Sequence, residues 1–164
     1  MKTTTHVSDR DRIENLLHRY ARGVDTGNLE SIAELFRHGT ICDAKGKILA
    51  DGYDAVLKMY RSIVKIYPDC GTPKTQHIVS NLILNLENQH TANSTANYTV
   101  LQQLPSGNIE CIIAGEYFSR FVKDNGRWQF HQHHMRNRIT GDLSHHLLID
   151  IDEIIKGSND GITG

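Results

Sequence analysis

Near residue 76 the hydrophobic pattern of this chain changes its period, and that switch limits the fold more than any other feature. Before it, apolar side chains recur every three or four positions. After it they alternate over residues 76–87, 91–104, 109–124 and 127–139. Four long strands in succession with short turns pair most simply as an antiparallel meander. Asn125-Gly126 is a strong two-residue turn signal, Ser106-Gly107 a moderate one and Asn88-Gln89 a weak one. Helices followed by a meander define the α+β class.

The helical part divides at its caps. Ser8 with Asp11 opens a helix carrying Ile13, Leu16, Leu17, Tyr20, Ala21 and Val24, which runs to Asp25. Thr26-Gly27-Asn28 stops it, and Asn28 caps a short second helix with Leu29, Ile32, Ala33, Leu35 and Phe36. Residues 40–50 form a small strand pair turning at Lys45-Gly46, and Val56, Met59, Tyr60, Ile63 and Tyr67 mark a third helix. Beyond the meander, Leu143, Leu147, Leu148, Ile151, Ile154 and Ile155 predict one more amphipathic helix, ended by Gly157. A chain of 164 residues is one domain.

Composition removes several functions. Lys plus Arg is 18 against 19 for Asp plus Glu, and no basic run is interleaved with aromatics, so nucleic acid is not an expected partner. No segment is apolar for long enough to cross a bilayer, and the first residues lack a signal-peptide core, so no membrane association and a cytoplasmic location are expected. Cys42, Cys70 and Cys111 are odd in number and widely spaced, which fits reduced thiols and neither a disulfide nor zinc.

Two residues are awkward for stability alone. Asp25 puts a carboxylate at the negative end of a helix dipole. His77 opens an apolar strand whose two faces both look covered. Hairpin registers propagated from the three turns relate His77 to the other strands. They place His77, Val79, Asn81, Tyr98, Val100, Gln102, Ile113, Tyr117, Gln132, His134 and Arg136 on one side of the sheet. Apolar walls with sparse polar groups suit a small-molecule cavity. The opposite side carries Ile78, Leu82, Leu84, Ile112, Phe118, Met135, His131 and His133, apolar enough for a homo-oligomer (dimer or trimer) interface. His131 and His133 share that side with no acidic or cysteine partner at fixed spacing, so no metal site is expected.

The order Ile13-x-x-Leu16-x-x-x-Tyr20-x-x-x-x-Asp25-x-Gly27, Leu35-Phe36, Gly52, His77-x-x-x-Asn81 and Gly126-x-Trp128 resembles the SnoaL-like family of the nuclear transport factor two-like superfamily. The nearest branch holds scytalone dehydratase, bile-acid dehydratase and hexachlorocyclohexane dehydrochlorinase. The resemblance implies a cone-shaped α+β barrel over residues 1–142, with a curved antiparallel sheet wrapped around the first helix, and residues 143–164 as a C-terminal helix and tail of the same domain. It also implies a cofactor-free lyase pairing a helix-one aspartate with a strand histidine, which Asp25 and His77 match, and Tyr20 matches the dehydratase tyrosine. Gln102 stands near the place of a second histidine in scytalone dehydratase, and no residue over 40–50 clearly matches that enzyme's further tyrosine, so the substrate does not carry over.

With Asp25 accepting the Nδ1 proton of His77, Nε2 is free to act as a base. Tyr20, Tyr98, Tyr117 and Arg136 are then candidates to stabilise an enolate or a departing hydroxyl. This describes a dehydratase, an HX-eliminating lyase or an isomerase for a small hydrophobic carbonyl or hydroxylated compound. The same residues also suit a satisfied buried pair in a non-catalytic ligand-binding or assembly module, or a polyketide cyclase.

Overall fold

A computed structural model describes residues 7–149. The first helix, α1 (Asp9–Asp25), starts at a reciprocal cap in which Ser8 and Asp11 each bond the other's backbone N–H, and buries the Ile13, Leu17, Tyr20 and Val24 stripe. Helix α2 (Leu29–Leu35) is capped by Asn28, whose side chain accepts from the Ser31 N–H. Strands β1 (Thr40–Cys42) and β2 (Ile48–Asp51) precede α3 (Gly52–Ile63). Tyr67, expected on α3, lies beyond its end and pairs with Thr72.

Strands β3 (Thr75–Leu86), β4 (Thr91–Gln103), β5 (Ile109–Asp124) and β6 (Arg127–Thr140) form the meander. The sheet runs β2-β1-β6-β5-β4-β3, with β1 parallel to β6 and the other neighbours antiparallel. Helix α1 packs on both β3 and β6, which β4 and β5 separate, so the sheet curls around it without closing. The core lies in that concavity. Phe36, Tyr117, Phe121 and Phe130 fill it, with Phe36 and Phe130 stacked at 4.7 Å between centroids.

Three bulges change the expected faces. On β6, Phe121 pairs with Phe130 as the turn requires, but Arg120 pairs with Gln132, so His131 is an extra residue. Every side chain from there to Asn137 changes sides. His133, Met135 and Asn137 therefore oppose Ser119, Tyr117 and Gly115, while Gln132, His134 and Arg136 lie on the alternate positions, contrary to the expectation that they face the cavity. On β3, Asn81 takes a left-handed φ of 53° at a second bulge, is exposed, and turns Leu82 and Leu84 toward the core. The third bulge, between Val100 and Leu101 against β5, leaves Ile112 buried and Cys111 exposed. The outer face thus lacks four of its expected apolar members, Leu82, Leu84, Ile112 and Met135, together with His133, and Glu116 bridges Arg136 and Arg138 across it.

Residues 143–149 form a turn and a bridge from Leu147 to Val64 instead of the start of a helix. The rest of the predicted C-terminal helix lies outside the described residues. No described helix is long and apolar enough to cross a membrane.

Candidate active site

Asp25 sits where the end of α1 meets β3, and three donors converge on its carboxylate. The Thr75 hydroxyl donates to Oδ1 at 2.9 Å, the His77 backbone N–H to Oδ2 at 2.8 Å, and His77 Nδ1 lies 2.5 Å from Oδ1. Those donors offset the helix dipole that made this position awkward. A carboxylate only accepts, so the proton between the two side chains belongs to Nδ1, and Nε2 is the lone-pair nitrogen of neutral His77. The His77 side chain is 8% exposed and Asp25 18%.

The His77 ring lines a cavity of about 510 Å³ in the mouth of the cone. Tyr20, Tyr98, Val100, Ile113 and Tyr117 line it as expected. Tyr98 and Tyr117 stack at 4.3 Å, and the Tyr98 hydroxyl donates to Asn137 Oδ1 at 2.6 Å. Gly115 makes this crossing possible, because a Cβ there would meet the Tyr98 hydroxyl at 2.8 Å and the Arg136 carbonyl at 2.2 Å. The Tyr20 and Tyr60 hydroxyls share a hydrogen bond of 2.6 Å. Burial pushes the Tyr20 phenol up to about 12 and raises Tyr60, Tyr98 and Tyr117 as well, so all four stay protonated at neutral pH.

Several expected contacts are elsewhere. Gln102 is buried, but its Nε2 donates to the Pro73 and His145 carbonyls at 3.1 and 2.9 Å, so it ties two loops together. Arg136 pairs with Glu116 at 3.1 Å, half-exposed and away from the cavity. Asn81, Gln132 and His134 do not line it either.

Tyr60, Met135, Asn137 and His146 also line the cavity, without an expected site role. Tyr60 is expected in the apolar stripe of α3 and Met135 on the outer face. The β6 bulge explains Met135 and Asn137, and His146 arrives by a return of the chain that no local pattern encodes. The His131-Gln-His133-His134 run is dispersed by the same bulge. His133 is wholly buried with Nδ1 2.8 Å from the Ser119 hydroxyl, and burial pushes it down to about 3. Among the described residues no cluster of three His, Cys, Asp or Glu converges as for a metal.

The structure is thus a conical α+β fold with a cavity walled by the His77 ring, which bonds Asp25. Residues 5–134 match the SnoaL-like domain, and the chain belongs to that family. No curated protein matches it by sequence. Solved structures of the same fold include a hexachlorocyclohexane dehydrochlorinase, LinA-type3, from Novosphingobium barchaimii LL02. It has 20% identity and a TM-score of 0.63, over 82% of this chain and 90% of that one. A candidate scytalone dehydratase from Novosphingobium aromaticivorans DSM 12444 has 23% identity and a TM-score of 0.63, over 82% and 87%. An NTF2-like protein with a cystatin-like fold from Novosphingobium aromaticivorans has 18% identity and a TM-score of 0.65, over 77% and 80%.

Proposed function

We propose that this protein is a cofactor-independent lyase or isomerase that removes a proton from carbon in a small, mainly hydrophobic carbonyl or hydroxylated compound. The observation that carries this reading is the carboxylate-to-imidazole contact of 2.5 Å on a ring that walls the cavity. His77 Nε2 accepts the proton, and Asp25 stabilises the imidazolium that results. Thr75 and the His77 N–H fix the carboxylate, so the ring is oriented before a substrate arrives. The C–H electron pair then expels a β-hydroxyl or halide, or shifts a double bond. Mostly apolar walls favour a hydrophobic substrate.

The test is an elimination screen over β-hydroxy ketones and chlorinated cyclohexanes with wild type, His77→Ala and Asp25→Asn. The expected loss in His77→Ala is about 10²–10⁴-fold, the usual contribution of a general base. Equal turnover in all three proteins contradicts the dyad, and no turnover of any compound by wild type favours a ligand-binding module.

A further inference from the structure

His146 is an imidazole in this cavity that the chemistry above leaves unused. Resting on the reading of the cavity as a proton-transfer site, we propose that His146 contacts substrate and donates a hydrogen bond to the carbonyl oxygen on which charge grows as His77 removes the α-proton. This specifies the substrate class as a carbonyl compound whose oxygen lies against His146 and whose acidic C–H faces His77. The proton passes from carbon to His77 Nε2, the C–H pair becomes a carbon–carbon double bond, and the carbonyl π pair moves to oxygen. The His146 proton stays on its ring.

Three observations support this assignment. The His146 ring lines the same cavity at 7% exposure, with its centroid 6.3 Å from that of His77, so one small group can touch both. Its Nδ1 is sealed from the cavity with no partner among the described residues, whereas Nε2 is neither sealed nor hydrogen-bonded there and is the nitrogen that can meet a substrate. The backbone around it is clamped. The Lys65 N–H donates to the His146 carbonyl at 2.9 Å, while the Tyr67 hydroxyl and Gln102 Nε2 donate to the His145 carbonyl at 2.8 and 2.9 Å. Gln102 is therefore a positioning residue, acting through the segment that carries His146.

The two imidazoles take different roles because only one has a carboxylate. Asp25 bonds His77 and stabilises its cation. Burial, with His77 beside it, pushes His146 down to about 4, so at neutral pH it is an uncharged ring with one N–H. A neutral imidazole is a competent hydrogen-bond donor to a developing enolate and leaves no surplus charge to stabilise before reaction.

Binding of 4-nitrophenol, an enolate mimic whose ionised form is read by visible absorbance, and of 4-nitrotoluene, which has the same shape without the oxygen, tests the assignment in the full chain. His146→Phe is expected to weaken phenolate binding about tenfold or more, with 4-nitrotoluene changing less than about twofold and His146→Gln restoring part of the loss. Unchanged phenolate affinity, an equal loss for both probes, or no binding of either to wild type overturns it. Deuterium exchange into 2-tetralone separates the two readings. Exchange unaffected by His77→Ala defeats the dyad, whereas exchange abolished by His77→Ala together with unchanged phenolate affinity in His146→Phe defeats only the role of His146.

Discussion

His77 on β3 and His133 on β6 both belong to the concave side of one curled sheet, yet the protein gives them opposite chemistry. His77 bonds a carboxylate and walls a cavity. His133 is 0% exposed, touches no charge, bonds the Ser119 hydroxyl, and lies with its centroid 4.7 and 4.6 Å from those of Tyr20 and Tyr117. Position inside the fold therefore does not make an imidazole a base. A partner that stabilises its cation and an open approach to its second nitrogen do.

Acid titration separates these environments most strongly. Unfolded His133 takes a proton below about pH 6.5, whereas the folded residue stays neutral down to about 3. Between those values the unfolded state binds more protons, so stability is retained above the unfolded value and falls as pH falls. The loss over that interval from this group is on the order of 4 kcal/mol, and denaturant unfolding of His133→Phe across the range should show a flatter decline. A decline of equal steepness in the variant would mean that His133 is not held neutral by burial.

Tyr20 sharpens the division at an intermediate scale. Tyr20→Phe keeps the ring packing and removes the bond to Tyr60, which should cost about 1 kcal/mol of unfolding free energy. Turnover should change less than about tenfold if the hydroxyl is engaged in the core, and a larger loss would move Tyr20 to the reacting end. Arg136 is the smallest case. Its pairing with Glu116 is partly exposed, so Arg136→Ala should change stability by less than about 0.5 kcal/mol and leave turnover within about twofold.

The legible and illegible parts of the molecule have physical reasons. Strand existence follows from alternation, which is local, whereas the pairings His77 with Val100 and Val79 with Tyr98 match the expected register only because the bulge at Asn81 offsets a turn one residue longer than Asn88-Gln89. Asn125-Gly126 gives Phe121 opposite Phe130. One residue later His131 bulges with no local signal, which sends Arg136 and His134 to the wrong expected side and hides Met135 and Asn137. Asn81 did carry a sign, since asparagine tolerates a left-handed φ, but the same residue also fits a regular strand. Asp25 and His77 were legible as misfits. Gln102 and His146 depend on where the end of the chain returns, which is a tertiary fact.

The central claim is that the Asp25 carboxylate makes His77 a base, and hydrogen–deuterium exchange at the α-carbon of 2-tetralone tests it most directly. Wild type should catalyse exchange, and Asp25→Asn, close to the carboxylate in shape but without its charge, should lose about 10²-fold or more while folding normally by circular dichroism. Exchange at the wild-type rate in folded Asp25→Asn would contradict the account.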